Sequence, residues 1–216
     1  MKSKKIFLYG IAMLSFLGVC CIYHRLSDQI PINFGVNWEV GEYGPKYSAL
    51  ILGATPFLMC LLFDVLPLID PKMKNYQKHE RGYNILRMFL VLCLIGLDWM
   101  TNMMALGYSM NINTVLPLLL GLVFVGTGNY LPKMKPNYFI GIRTPWTLDN
   151  EVVWRKTHRV GGYIFVVLGI VCFLTALIHT TLMNYILVGT FVVGICWVMG
   201  YSYYCYKEEK KESKTE

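Results

Sequence analysis

The sequence predicts an all-α polytopic membrane protein with six transmembrane helices, and three observations support this fold class. First, 55% of the 216 residues are hydrophobic and only 15% are charged, with a mean hydropathy of +0.45. Second, six apolar stretches reach the roughly 20 residues that cross a bilayer as a helix. Third, the basic residues behind the net charge of +7 fall in short runs between these stretches. That distribution is typical of membrane topology, so we expect no direct binding to nucleic acid.

The six predicted spans follow one another along the whole chain. They lie near residues 6–23, 47–69, 85–106, 112–131, 161–180 and 183–206. A cleaved signal peptide is the alternative for the first span, because basic residues precede it. No small-residue cleavage pattern follows, and we therefore expect it to be retained as a helix.

The distribution of Lys and Arg predicts the orientation of these spans. Four segments hold 17 of the 20 basic residues: the start of the chain, the 70–84 loop, the 132–160 loop and the tail after Tyr206. Cytoplasmic loops of membrane proteins carry an excess of Lys and Arg. We therefore expect both termini and these two loops to lie on the cytoplasmic side.

Residues 24–46 form the only loop on the opposite side that is long enough to fold on itself. The loop combines acidic, turn-forming and aromatic residues: Asp28, Glu39, Glu42, Gly41, Gly44, Pro45, Phe34, Trp38 and Tyr43. A ligand platform and an interfacial cap both fit this composition. With the first two spans, the loop makes a predicted N-terminal module of residues 1–84. Residues 85–216 form the predicted four-helix region.

The longest segment between two apolar blocks is residues 129–162, which mix basic and aromatic residues. Thr147 or Asp149 is expected to cap a short amphipathic surface helix with Glu151 in its first turn. This helix is predicted to end at Gly161-Gly162. Its basic side is formed by Arg155, Lys156 and Arg159, and Trp146 and Trp154 are candidate anchors to lipid or protein. The alternative is a basic connector that only enforces topology.

Three polar side chains are predicted at membrane depth: Asp64, Asp98 and Asn102. Asp64 lies close to the basic 70–84 loop, so hydration or a lysine partner is within reach. A charge near the middle of a span, as at Asp98, costs about 2.5 to 3.5 kcal/mol, so this carboxyl should face the bundle interior. Asn102 is one turn further on and can share its hydrogen bonds. Both a structural bond between helices and a role in binding or proton handling fit these residues.

Glycines are concentrated where the fourth and fifth spans approach the long basic loop. Gly126 and Gly128 lie in the fourth span, and Gly161, Gly162 and Gly169 lie in the fifth. Small residues of this kind permit close approach of helix backbones, and packing is the expected consequence.

Motifs of catalytic and metal sites are absent from the sequence. The seven cysteines have no C-x-x-C spacing, and the four histidines, one of which is His79, have no H-x-x-x-H spacing. Phosphate-binding loops and nucleophile motifs are also missing. We therefore expect no metal, no cofactor and no enzymatic activity.

The run from Pro132 to Leu148, followed by Asn150-Glu151, Trp154 and residues 156–159, resembles the signature of the SdpI family. These are bacterial multi-pass membrane proteins named for immunity to a secreted sporulation-delaying toxin. The upstream module, from Ile30 to Lys46, is similar to one that often precedes the signature. It departs from the family pattern at Asn33, Trp38, Gly41 and Pro45.

The resemblance implies an immunity protein of the bacterial cell membrane, with the bilayer, a secreted toxin peptide and a cytosolic transcriptional repressor as partners. The alternative function is a small-solute or ion/proton-coupled transporter, whose flux would depend on Asp98. The signature-loop residues expected to respond to toxin or partner are Asn129, Pro132, Lys133, Pro136, Asn137, Gly141, Arg143, Thr144, Pro145, Trp146, Asn150, Trp154, Arg155, Lys156, His158 and Arg159.

Overall fold

The structure, a computed structural model, describes residues 2–78 and 80–212, so His79 lies outside the described residues. This part of the chain contains eight α-helices and one small two-stranded sheet. In chain order the elements are α1 (Lys2–Ile22), β1 (Gln29–Phe34), β2 (Val40–Pro45), α2 (Ser48–Ile69), α3 (Met73–Lys78), α4 (Glu80–Ala105), α5 (Ile112–Tyr130), α6 (Pro145–Asp149), α7 (Glu151–Ile178) and α8 (Thr181–Glu212).

Six of the helices in the described ranges, namely α1, α2, α4, α5, α7 and α8, are long and apolar enough to cross a membrane. The predicted all-α polytopic fold class is therefore confirmed. Three helices extend well beyond the predicted spans, because polar turns continue each helix outside its apolar block. Thus α4 begins at Glu80, α7 begins at Glu151 and α8 runs to Glu212.

The connections divide between the two ends of the bundle. The loop end carries the start of α1, the α2–α4 and α5–α7 connections and the end of α8. Contacts between Lys5 and Asp64, and between Lys156 and Glu209, join these segments. The hairpin end carries β1 and β2. Here the backbone N–H of Ser27 donates to the carbonyl of Ala105, at the end of α4, at 3.0 Å.

The loop at residues 24–46 folds on itself as an antiparallel hairpin. Its register pairs Gln29 with Pro45 and Phe34 with Val40, with an irregularity between residues 31 and 34. Ile30 is fully buried in an apolar cluster with residues of α1 and α2. This burial fixes the hairpin on the bundle.

The backbones of α5 and α7 touch at two levels. A Cβ atom on Gly128 would lie 2.7 Å from the Gly162 carbonyl oxygen, and one on Gly162 would lie 2.8 Å from that of Gly128. Two turns away, a Cβ on Gly169 would lie 2.9 Å from the Gly121 carbonyl oxygen. The predicted close approach is confirmed, and Gly121 is a member that the sequence analysis missed.

The predicted short surface helix is wrong as a separate element. Helix α7 continues from Glu151 through Gly161-Gly162 to Ile178 without a break. Its N-cap is Asn150, whose Oδ1 accepts from the N–H groups of Val152 and Val153. Thr147 and Asp149, the predicted caps, belong to the preceding helix α6. The glycines do not end α7, because close packing on α5 stabilises an unbroken helix there.

Candidate functional site

The signature loop spans residues 129–162, and its part between α5 and α7, residues 131–150, folds around the buried side chain of Asn137. Its Oδ1 accepts from the N–H of Phe139 at 3.1 Å, the N–H of Ile140 at 2.7 Å and the hydroxyl of Tyr76 at 3.3 Å. Its Nδ2 donates to the Lys135 carbonyl at 3.0 Å. One fully buried amide therefore fixes the bend at residues 135–140.

Asp70, just after α2, binds this loop from the other side. Its Oδ2 accepts from the Tyr76 hydroxyl at 2.8 Å and from the N–H of Tyr138 at 2.9 Å, and its Oδ1 accepts from the N–H of Lys72. Burial and the neighbouring carboxylate raise the pKa of Tyr76, so the phenol remains a hydrogen-bond donor. This pair is not evident from the sequence, because only folding brings the two loops together.

The centre of the signature loop is the contact between Trp154 and His158. Their rings stack at 3.9 Å, both side chains are fully buried, and the indole N–H donates to the Met134 carbonyl at 2.8 Å. The imidazole Nε2 accepts from the N–H of Ile142 at 3.1 Å, so Nδ1 carries the proton and donates to the Trp154 carbonyl. A Cβ on Gly141, whose φ is +115°, would collide with Nε2.

Trp154 is therefore an interior residue and not a surface anchor. Because its indole nitrogen finds a partner inside the loop, the ring can be buried without loss of a hydrogen bond. Trp146 is partly buried, and its ring lies 5.1 Å from that of Tyr203 on α8. It packs the loop against α8.

Reciprocal side-chain hydrogen bonds cap α6, the short helix that precedes α7. The Thr144 hydroxyl accepts from the N–H of Thr147, the Thr147 hydroxyl accepts from the N–H of Thr144, and Pro145 occupies the first turn of α6. The Thr147 hydroxyl also donates to the Ile142 carbonyl at 2.8 Å. These local bonds set the direction in which α7 enters the bundle.

The remaining signature residues point outward. Arg143 is exposed and donates to the Tyr138 carbonyl at 2.6 Å. Lys156 forms an ion pair with Glu209 of α8 at 2.7 Å. The structure thus divides the predicted set into three groups by exposure. The buried members are Pro136, Asn137, Thr144, Trp154 and His158, the partly buried members are Gly141, Trp146 and Asn150, and the exposed members are Asn129, Pro132, Lys133, Arg143, Pro145, Arg155, Lys156 and Arg159.

A second polar cluster surrounds Asp64 near the loop end. Its carboxylate contacts Arg87 of α4 at 2.9 Å, Lys5 at 3.0 Å and the Tyr9 hydroxyl at 2.7 Å. A lysine partner is present, but it is Lys5 of α1 and not a residue of the 70–84 loop. The fully buried Arg87 was not expected as a site residue. The cluster joins α1, α2 and α4.

Asp98 lies elsewhere, about 16 Å from Arg87 along α4. Only 3% of it is exposed, as the cost of a charge at membrane depth predicts. Its Oδ1 accepts from Asn102 Nδ2 at 2.9 Å, which confirms the expected pair. Asp98 Oδ2 and Asn102 Oδ1 are buried without a hydrogen-bond partner among the described residues. The structure does not bring Asp98 together with Asp64 or the signature loop.

Trp38 at the tip of the hairpin contacts the C-terminal helices. Its indole N–H donates to Asn184 Oδ1 of α8 at 2.7 Å, and its ring packs on a cluster that includes Leu168 and Cys172. Its φ of +60° lies in the left-handed region that favours glycine.

Residues 133–204, from the signature loop into α8, match the model of the SdpI/YfhL protein family. The chain is also 28% identical over 169 residues to the protein named Immunity protein SdpI of Bacillus subtilis (strain 168). The aligned residues cover 78% of this chain and 79% of that protein. Neither name denotes an enzyme, and no solved structure shows a significant match. The predicted resemblance to the SdpI family is therefore confirmed, and residues 133–204 are the part of the chain that matches the family model.

Proposed function

We propose that this protein is a non-enzymatic membrane immunity protein that protects its bacterial cell from a secreted, membrane-active toxin peptide. The observation that carries the proposal is the similarity to the Bacillus subtilis immunity protein over more than three quarters of both chains. Residues 133–216 supply fewer than half of the 169 aligned residues, so the likeness extends beyond the signature into the preceding helices.

In this proposal the loop end lies in the cytoplasm and the hairpin end faces outward. The excess of Lys and Arg at the loop end supports this orientation, because such residues are retained on the cytoplasmic side. Both termini are then cytoplasmic, and the hairpin meets an arriving peptide first. Its exposed acidic and aromatic side chains include Glu39, Glu42 and Tyr43.

A second activity belongs to the loop end. We infer that a cytosolic repressor protein docks on the exposed cations of α7, as the resemblance to the SdpI family implies. Arg155 and Arg159 lie one turn apart on the exposed side of α7, whereas Lys156 is paired with Glu209. The buried residues of the signature loop position this face and do not themselves contact the partner.

Ion- or proton-coupled transport is the second candidate function. It is supported by one observation, the buried Oδ2 atom of Asp98, which has no partner among the described side chains. Such a carboxyl inside a helix bundle is typical of cation pathways. Transport predicts flux that is lost in Asp98→Asn, whereas immunity alone does not.

The test is expression of the chain in a Bacillus subtilis strain that lacks its own SdpI immunity protein. Cells are exposed to the sporulation-delaying toxin and, separately, to secreted peptides from the organism that carries this gene. We expect survival above that of the empty vector with at least one of these peptides. Survival equal to the vector control with every peptide, while the protein accumulates in the membrane, would overturn the proposal.

A further inference from the structure

The two aspartates inside the bundle have opposite surroundings. Asp64 receives two cations, Arg87 and Lys5, and the hydroxyl of Tyr9. Asp98 is more deeply buried, yet its carboxylate receives one bond, from the neutral amide of Asn102. The charge of Asp64 is therefore compensated within the protein, and that of Asp98 is not.

The hydrogen-bond donors around Asp98 are already in use. Asn102 Nδ2 donates to both Oδ1 and the backbone carbonyl of Asp98, and the Thr101 hydroxyl donates to the same carbonyl at 2.8 Å. Two oxygen atoms of this turn remain buried and unpartnered: Asp98 Oδ2 and Asn102 Oδ1. Both accept and neither donates, so neither can satisfy the other, and each needs a proton, a cation or a donor such as water.

No described residue of a neighbouring helix forms an ion pair with the Asp98 carboxylate. The elements packed on α4 include α1, α2, α5 and β1, and among the described residues Asn102 is the one side chain that hydrogen-bonds this carboxylate. On the hairpin side lies the apolar cluster around Val19 and Ala49, and on the loop side lies the cluster around Ala12 and Cys60. An ionised, uncompensated carboxylate in such surroundings is strongly disfavoured.

We propose that Asp98 Oδ2 and Asn102 Oδ1 bind one small monovalent cation, either a proton or an alkali metal ion. A proton on Oδ2 converts an unpaired acceptor into a donor. A dehydrated alkali ion accepts carboxylate and amide oxygens as ligands. A divalent ion does not fit, because one carboxylate leaves a buried positive charge without compensation. This inference is independent of the immunity function.

The site is tested on the purified full-length protein in phosphatidylcholine nanodiscs by infrared spectroscopy at neutral pH. If the cation is a proton, a protonated-carboxyl band is present and shifts when aspartate is labelled with carbon-13. The band disappears in Asp98→Asn and persists in the matched control Asp149→Asn, because Asp149 is exposed to solvent. If Asp98→Asn does not accumulate, the labelled wild-type protein still shows whether an aspartic acid is protonated, and a shift of the band in Asn102→Leu assigns it to Asp98.

If the cation is an alkali ion, sodium or lithium chloride raises the unfolding temperature above its value in equal choline chloride. This salt-specific rise is abolished in Asp98→Asn, is weakened in Asn102→Leu and is retained in Asp149→Asn. The proposal is overturned if the wild-type protein shows neither an aspartic acid band at neutral pH nor stabilisation specific to an alkali ion.

Discussion

The N–H of Ile142 in the signature loop donates to Nε2 of His158 on α7 at 3.1 Å. This bond fixes the imidazole as the neutral tautomer that is protonated on Nδ1, because Nε2 has to be the acceptor. The ring then bridges the loop to the first turns of α7, with Trp154 stacked beneath it. The conformation of the signature loop therefore depends on one histidine inside the fold.

We predict that His158→Leu destabilises the protein by about 1–3 kcal/mol, the cost of leaving the partly buried Ile142 N–H without an acceptor. His158→Gln provides an acceptor and should recover part of this loss. The measurement is the free energy of unfolding in detergent micelles for both variants. Equal stability of His158→Leu and wild type would show that the bond does not hold the loop.

Asp64→Asn should destabilise the bundle by roughly 3 kcal/mol, because it leaves the fully buried Arg87 guanidinium without its carboxylate. This value is at the lower end for buried pairs, since one third of the Asp64 side chain is exposed. The matched control is Glu209→Gln, which breaks the exposed pair with Lys156 and should cost at most about 1 kcal/mol. Similar losses in the two variants would contradict the role of the buried cluster.

Trp38→Phe should lower the free energy that holds the hairpin on the bundle by about 0.5–1.5 kcal/mol, because the hydrogen bond to Asn184 is lost. Hydrogen–deuterium exchange of residues 35–45 is the measurement, and faster exchange is expected in the variant. Tyr43→Phe is the control, since Tyr43 is exposed and should leave exchange unchanged. Unchanged protection in Trp38→Phe would mean that the ring does not anchor the hairpin through this bond.

The double variant Arg155→Ala with Arg159→Ala should impair recruitment of a cytosolic repressor more than it impairs survival under toxin. The physical reason is that both cations are exposed at the loop end, away from the hairpin. Membrane co-localisation of a tagged repressor and a killing curve are measured together, with protein level checked by blot. Lys74→Ala with Lys78→Ala removes the same charge elsewhere at this end as a control. Equal loss of recruitment and protection in the arginine variant would place both activities at one site.

Much of the fold follows from the sequence, because apolar length and charge distribution report directly on membrane spans. The burial of Asp98 was also predictable from the cost of a charge at that depth. The pairing of Asp64 with Arg87 was not, since it depends on which faces of two helices meet. Likewise, Asn150 and Thr147 are both good caps by residue type. Only the path of the loop decides that Asn150 caps α7 and that Trp154 points inward.

Orientation is still a prediction, and it can be tested by labelling single cysteines in a background without the native ones. Arg143→Cys should be protected from an impermeant thiol reagent in intact cells, and Tyr43→Cys should be labelled, because the loop end is expected in the cytoplasm. Both positions are exposed in the structure, so differences report on sidedness. Labelling of Arg143→Cys in intact cells would show that the loop end faces outward, opposite to the predicted orientation.

The central claim, protection from a membrane-active peptide, is tested most directly by the membrane potential of living cells. Bacillus subtilis cells that lack their own SdpI immunity protein and express this chain are loaded with a potential-sensitive dye and exposed to the peptide that gives protection in the survival test. We predict that they retain their potential, while cells expressing an unrelated six-helix membrane protein at equal level depolarise. As a control for the dye, both cell types should depolarise when an ionophore is added. Loss of potential as fast as in the control cells, at normal abundance of the protein, would contradict the account.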